Sequence, residues 1–147
     1  MKRLLIVVGV VALGVAAVAR GAAPAKGSQS WNASELKFKE VAKGIERAVV
    51  WGDPDKGEYG AIIRFQPGAE RGWHWHSNPI HLAVIFGTLV YEEEGAPPKE
   101  LGPGAGVSEA AKVKHDTRCK EGAECLFLIT SSKKYDFKAA TAKTATK

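Results

Sequence analysis

The fold is decided by residues 68–87, which read GAERGWHWHSNPIHLAVIFG. Two histidines alternate with two tryptophans in this stretch, and a Ser-Asn-Pro turn separates them from an apolar run that ends at a glycine. Successive side chains of a β-strand point to opposite faces, so His74 and His76 are expected on one face and the tryptophans on the other. His81 begins the apolar run and can return beside the pair after the turn.

Outside this stretch the chain is a series of short runs separated by glycine and proline. The predicted strands are residues 36–39, 45–51, 59–65, 72–76, 80–91, 107–115 and 125–130. Short strands about 8–12 residues apart, with turn residues between them, predict an all-β sandwich or barrel. Residues 34–48 also fit a short amphipathic helix, although we prefer a strand there. Nothing in the pattern indicates a second domain.

The first 23 residues have the layout of a secretory signal peptide. Lys2 and Arg3 precede an uncharged apolar run over residues 4–18, and small residues follow. A membrane-spanning helix needs about 20 apolar residues, so the run predicts a cleaved leader over residues 1–23 in preference to an uncleaved anchor. The expected protein is therefore exported, periplasmic or secreted, with no stable membrane anchoring after cleavage.

The formal charge of +5 comes from the two ends of the chain. The leader carries three basic residues and no acidic one, and residues 138–147, predicted as a disordered Lys/Ala/Thr tail, carry three lysines. Between them, residues 26–137 contain 15 basic and 16 acidic residues. A nearly neutral body lacks the basic patch that nucleic-acid binding needs, so we predict no nucleic-acid partner.

Four histidines are the most informative residues of this body. They are His74, His76, His81 and His115. Neutral imidazoles brought together on strands suit a divalent transition metal. The spacing alone equally allows an aromatic strand whose histidines only pack and form hydrogen bonds.

The spacing of glycines and histidines in residues 68–87 resembles the first motif of the cupin superfamily. The matching positions are Gly68, His74, His76, His81 and Gly87. Gly102-Pro103-Gly104 followed by His115 is similar to a looser second motif. This resemblance implies a single-domain cupin-type antiparallel β-barrel or jelly roll over residues 31–137. It also implies one divalent transition metal, Fe, Mn, Zn, Ni or Cu, held by the four histidines.

One position departs from the cupin pattern. His81 stands where cupins usually place a glutamate. Four imidazoles add no ligand charge, so an all-histidine site would leave the ion a stronger Lewis acid than a site with three histidines and one glutamate.

Cys119 and Cys125 flank a predicted hairpin turn. In an exported protein a disulfide across that turn is the expected state. The alternative is a free Cys119 thiol on the same face as His115, close to the metal.

These features predict a metal-dependent enzyme of oxygenase-like type that acts on a small organic molecule. The alternative is a non-catalytic module that binds a small ligand, such as an anion or carboxylate, at the metal. A third hypothesis gives the histidines a purely structural role. The sequence shows no residue clearly placed as a general base. An exposed face carrying Trp73 and Trp75 would favour a homodimer.

Overall fold

The computed structural model describes residues 27–141, which form two antiparallel β-sheets. All helical and strand elements of this part lie in the unit that begins at Trp31. A single 3-10 turn, Ala33–Glu35, precedes the strands. The strands are β1 (Lys39–Ala42), β2 (Ile45–Gly52), β3 (Tyr59–Phe65), β4 (His74–Trp75), β5 (Ile80–Phe86), β6 (Leu89–Glu93), β7 (Lys99–Leu101), β8 (Gly106–Glu109), β9 (His115–Cys119), β10 (Cys125–Ser131) and β11 (Lys138–Ala139).

The large sheet has six strands in the order β1-β2-β3-β10-β5-β8, and the small sheet has five in the order β11-β4-β9-β6-β7. Every pairing is antiparallel. Strands that follow one another in the chain often lie in different sheets, as β4 and β5 do. The all-β prediction is confirmed, and the strand order is consistent with a jelly roll.

Alternating burial explains why the longest strands form where they do. In β3 and β10 every second side chain is buried, and the two strands pair along their whole length from Cys125 opposite Phe65 to Ser131 opposite Tyr59. The inward side chains of both sheets form one apolar core. Phe65 and Phe127 meet there edge to face, with ring centroids 5.2 Å apart.

The apolar run over residues 80–91 forms two strands instead of the single predicted one. Gly87 lies between them with φ +78°, a backbone conformation that side chains disfavour. A Cβ at this position would lie 2.2 Å from the Glu124 carbonyl oxygen. The glycine therefore lets the chain pass from the large sheet to the small one.

Both ends of the predicted domain differ in detail from expectation. The region with two interpretations, residues 34–48, begins with the end of the 3-10 turn and continues in β1 and β2, so the strand interpretation is correct. Lys138 and Ala139, which we predicted to begin a disordered tail, instead pair with β4 opposite Trp75 and His74. The predicted leader cleavage region and residues 142–147 lie outside the described residues. Within residues 27–141 no helix has the length and apolar character needed to span a membrane.

Candidate metal centre

Three of the four histidines converge on one point. His74 begins β4, His76 directly follows it, and His115 begins β9, where it lies opposite His74 in the register of the small sheet. One ring nitrogen from each histidine lies within 4.8 Å of the other two. All three side chains are buried. The cluster forms because His74 and His76 are two residues apart in the chain and because β4 pairs with β9, which carries His115.

Backbone carbonyls fix the orientation of all three rings. The Nδ1–H of His74 donates to the Gly72 carbonyl over 2.7 Å, and that of His115 donates to the Val113 carbonyl over 3.1 Å. The Nδ1–H of His76 donates to the Asp136 carbonyl. A carbonyl only accepts, so the hydrogen of each neutral ring is on Nδ1 and the lone pair is on Nε2.

This arrangement fits a metal ion. The Nε2 of His115 is buried and has no hydrogen-bond partner among the described residues, which is costly unless a ligand uses its lone pair. Histidine ligands of metals typically donate their second ring N–H to a carbonyl in this way. Two nitrogens bound to one ion at about 2.1 Å lie at most about 4.2 Å apart, so a pair of ring nitrogens at the 4.8 Å limit has to approach by at least about 0.6 Å when the ion binds.

The electrostatic environment keeps the three rings neutral. Burial lowers the pKa of His74 to about 3, although its bond to the Gly72 carbonyl acts in the opposite direction. Burial likewise lowers the pKa of His76 and of His115, against the effect of their carbonyl partners. The neutral imidazole is the form that binds metals, so no proton has to be displaced from these rings near neutral pH.

The sequence did not identify a buried carboxylate that lies beside two of the three histidines. The Oε2 of Glu109 lies 3.6 Å from the Nε2 of His115 and 4.0 Å from the Nε2 of His76. Burial raises the pKa of Glu109 from 4.5 to about 8. Glu109 ends β8 opposite Ile80 of β5, which is also buried. Its neighbour two residues earlier, Val107, pairs with buried Leu82, so period-two alternation was the available signal.

His81 does not join the cluster, which corrects the expected set of four histidine ligands. It lies on β5 of the large sheet, where Ile80 and Leu82 are buried and His81 between them is exposed. Its Nδ1 lies 3.0 Å from the Ser108 hydroxyl across the sheet. The turn after β4 brings Ile80 to the inner face, so the strand alternation sends His81 outward.

A cavity of about 80 Å³ opens beside the histidines. Its apolar wall comes mainly from the large sheet. This wall includes Ile45, Ile63, Phe65, Leu82, Phe127 and Ile129. Arg47, Arg71 and Tyr135 also line it, whereas Trp73 and Trp75 do not, as the strand alternation predicted.

Residues 135–137, which we call the C-terminal strap, cover one side of the cluster. The Phe137 ring stacks on His74 with centroids 4.7 Å apart, and the Tyr135 ring lies 5.3 Å from that of His76. The Asp136 carboxylate accepts hydrogen bonds from the backbone N–H and the hydroxyl of Ser77. The strap thus holds two of the three rings from a point about 60 residues away in sequence.

The two cysteines form the expected disulfide. Cys119 ends β9 and Cys125 begins β10, with Cα atoms 5.7 Å apart. Within residues 27–141 neither thiol is free, so the alternative of a free Cys119 near the metal is wrong. A disulfide of this kind is typical of an oxidising compartment.

Two antiparallel sheets around a buried histidine cluster define the protein as a cupin. Residues 26–134 match the family model described as the ChrR Cupin-like domain. The match spans most of the chain, which therefore belongs to the ChrR cupin-like family. No curated protein sequence matches the chain.

Solved structures of other proteins share the fold at low sequence identity. The polyketide cyclase RemF from Streptomyces resistomycificus superposes with a TM-score of 0.69 at 15% identity, over 79% of this chain and 87% of its own. KdgF from a Halomonas species gives 0.60 at 22% identity, over 72% and 94%. The DMSP lyase DddQ from Ruegeria pomeroyi gives 0.57 at 17% identity, over 67% and 57%. At these identities the likeness establishes the fold alone.

Proposed function

We propose that this protein is an exported cupin that binds one divalent transition metal and acts, as an oxygenase-like enzyme, on a small organic molecule. The observation that carries the proposal is the set of three buried imidazoles, each fixed through Nδ1 by a carbonyl, with Nε2 atoms directed to one point. A hydrogen-bonded histidine cluster without a metal would leave the buried Nε2 of His115 unsatisfied.

Glu109 is the proposed fourth ligand, in the place that the sequence assigned to His81. Its Oε2 lies 3.6 and 4.0 Å from two histidine nitrogens, within the roughly 4.2 Å that two ligand atoms on one ion allow. Three imidazoles and one carboxylate suit Fe, Mn, Zn, Ni or Cu. The carboxylate adds one negative charge, so the ion is a weaker Lewis acid than the all-histidine set would give.

When bound, a divalent ion supplies Lewis-acid activation and open coordination positions. The residues of the chain do the remaining work. The apolar wall of the cavity excludes water and receives the carbon skeleton of a substrate, and the three histidines and Glu109 line the same cavity. The C-terminal strap keeps His74 and His76 in place while the substrate binds.

Export is proposed from two observations. The first 23 residues have the layout of a signal peptide, and the Cys119–Cys125 disulfide suits the periplasm or the extracellular space.

The alternative function is a non-catalytic module that binds a small ligand. Glu109 is the single carboxylate among the described residues that line the cavity. If that carboxylate binds the metal, the lining offers no second carboxylate for proton transfer, which favours binding without turnover.

The test is metal analysis of protein isolated from its native compartment, followed by oxygen-consumption assays with phenolic and diketone substrates. We expect one equivalent of metal in the wild type and in His81→Ala, and none in His76→Ala. Redox-active metal with oxygen uptake would support the enzyme. Zinc without turnover would favour the binding module, and absence of metal from freshly isolated protein would refute both.

A further inference from the structure

Two arginines line the cavity without an acidic partner. The other arginines of the described chain that form ion pairs do so at the sheet surfaces, Arg64 with Glu46 and Arg118 with Glu92 and Asp116. Within residues 27–141, no carboxylate oxygen lies within 4.0 Å of the Arg47 or Arg71 guanidinium. Both side chains are half-buried. Two permanent positive charges therefore face one small cavity unpaired.

The C-terminal strap connects each guanidinium to the histidine cluster. The Cζ of Arg71 lies 3.9 Å from the centroid of the Phe137 ring, which stacks on His74. The Cζ of Arg47 lies 5.4 Å from the centroid of the Tyr135 ring, which contacts His76. Each guanidinium is thus separated from a candidate metal ligand by one aromatic ring. Stacking uses the face of a guanidinium and leaves its N–H edge free to donate.

We propose that Arg47 and Arg71 form the recognition site for a small organic carboxylate, which binds in the cavity beside the metal. This inference rests on the proposed function, because it names the class of ligand that the metal site would take. A divalent ion, one carboxylate ligand and two guanidiniums leave positive charge in excess within a largely apolar wall. Unpaired charge of this kind is costly, and an anionic ligand offsets it.

The rest of the cavity favours an organic acid over an inorganic anion. A guanidinium edge matches the two oxygens of a carboxylate, and such paired hydrogen bonds are among the strongest in proteins. Phosphate would satisfy the arginines equally well. The apolar wall that includes Ile63, Phe65 and Phe127, however, offers phosphate nothing and gives a carbon chain a dry surface.

Calorimetric titration of the zinc-loaded protein tests the inference. The probes are propionate and succinate, with propionamide as the neutral analogue and inorganic phosphate as the inorganic anion. In the wild type we expect at least one carboxylate to bind at least tenfold more tightly than propionamide and than phosphate. In Arg47→Gln and Arg71→Gln we expect the Kd of that carboxylate to rise at least tenfold. The matched control Arg64→Gln removes an arginine from the outer face of the same sheet and should leave the Kd unchanged.

Zinc affinity, measured by chelator competition, separates this inference from the proposed metal site. It should stay within about threefold of wild type in both cavity variants, because neither arginine is a ligand. Arg47→Lys and Arg71→Lys keep the charge without the paired donors. If a glutamine variant does not fold, its lysine counterpart should still raise the Kd at least threefold.

Three results would overturn the inference: no carboxylate that binds more tightly than propionamide, tighter binding of phosphate than of any carboxylate, or no loss of affinity in the arginine variants. A protein that fails to bind zinc but binds a carboxylate through Arg47 and Arg71 would instead refute the proposed metal site and leave the carboxylate site standing.

Discussion

Replacing Glu109 with glutamine should shift the stability difference between variant and wild type, measured without metal, in favour of the variant as pH rises from 6.5 to 8.5. Burial raises the pKa of Glu109 from 4.5 to about 8. Across the interval between these values the unfolded chain has released the proton and the folded chain retains it. The folded state therefore binds more protons, and the free energy of unfolding falls as pH rises.

The Glu109 contribution falls by up to about 1.4 kcal/mol per pH unit, and by roughly 1.6 kcal/mol from pH 6.5 to pH 8, because the slope decreases as the folded pKa of about 8 is approached. The histidines act at lower pH and with the opposite sign. Because burial lowers the pKa of His74 to about 3, the stability that depends on its neutral ring is lost as pH falls below about 6.5. At pH 6.5 about half of the unfolded imidazoles are still protonated, so the rings add an opposite slope near that pH. This ring contribution is common to the wild type and Glu109→Gln, so the difference between the two proteins isolates Glu109.

The assay is urea unfolding followed by tryptophan fluorescence, with a chelator present, at half-unit steps from pH 6.5 to 8.5. The stability of Glu109→Gln relative to the wild type should rise across the series, because its amide does not titrate and the histidine contribution is common to both proteins. Glu58→Gln, which changes an exposed glutamate, is the matched control and should follow the wild type. Parallel curves for the wild type and Glu109→Gln would refute the assignment of this proton to the buried carboxylate.

Three further predictions concern the ligands, the strap and the disulfide. His115→Ala should abolish stoichiometric zinc binding and His81→Ala should retain it, as elemental analysis after dialysis would show; the reverse result would contradict the ligand set. Asp136→Ala removes the carboxylate that anchors the strap. Urea unfolding should show a loss of stability of about 1–3 kcal/mol, and chelator competition should show a zinc affinity about tenfold weaker. Unchanged values would show that the strap does not support the metal site. Reduction of the Cys119–Cys125 disulfide, which closes a short loop, should cost about 2 kcal/mol, and an unchanged urea midpoint in a thiol reductant would disprove this.

The sequence predicted those parts of the fold that depend on local patterns. Residues 59–65 and 125–130 alternate or carry β-branched side chains between clear turns, and both form central strands of the large sheet. His74 and His76 share a face because any strand places residues two apart on one side. The cupin resemblance located His115, which no local pattern connects to the other two.

His81 is the position at which the motif spacing and the strand alternation predict different side-chain directions, and the structure follows the alternation. The spacing assigned it the place of a ligand, but the direction of a side chain on β5 depends on which alternate set is more apolar. Residues 80, 82 and 84 are isoleucine, leucine and valine, whereas 81 and 83 are histidine and alanine. Burying the first set removes more apolar surface from water, so His81 faces outward. This signal was present in the sequence.

Glu109 and the C-terminal strap depend on long-range pairing that the sequence does not display. The inward direction of Glu109 follows from its register opposite Ile80, and the strap reaches His76 across 60 residues. Period-two alternation from Val107 is the one sequence signal that Glu109 faces inward, and no length or period marks the strap as part of a site. The Glu109 carboxylate and the strap that covers the histidines change the chemistry of the site most. Because both depend on long-range pairing, they were the features that were hardest to predict from the sequence.

The three carbonyl anchors differ in a way that connects the metal site to the folding of the C-terminal segment. His74 and His115 each donate to the carbonyl of the residue two positions earlier in the chain. The orientation of these two rings is therefore set by the local backbone. His76 donates to Asp136, which the strap supplies from the other end of the domain. Its Nε2 is correctly directed only when the strap is docked. We therefore expect a metal to bind more tightly when the strap contacts the histidines than when it is detached. By linkage, the bound metal then stabilises strap docking by the same free energy by which docking increases the metal affinity.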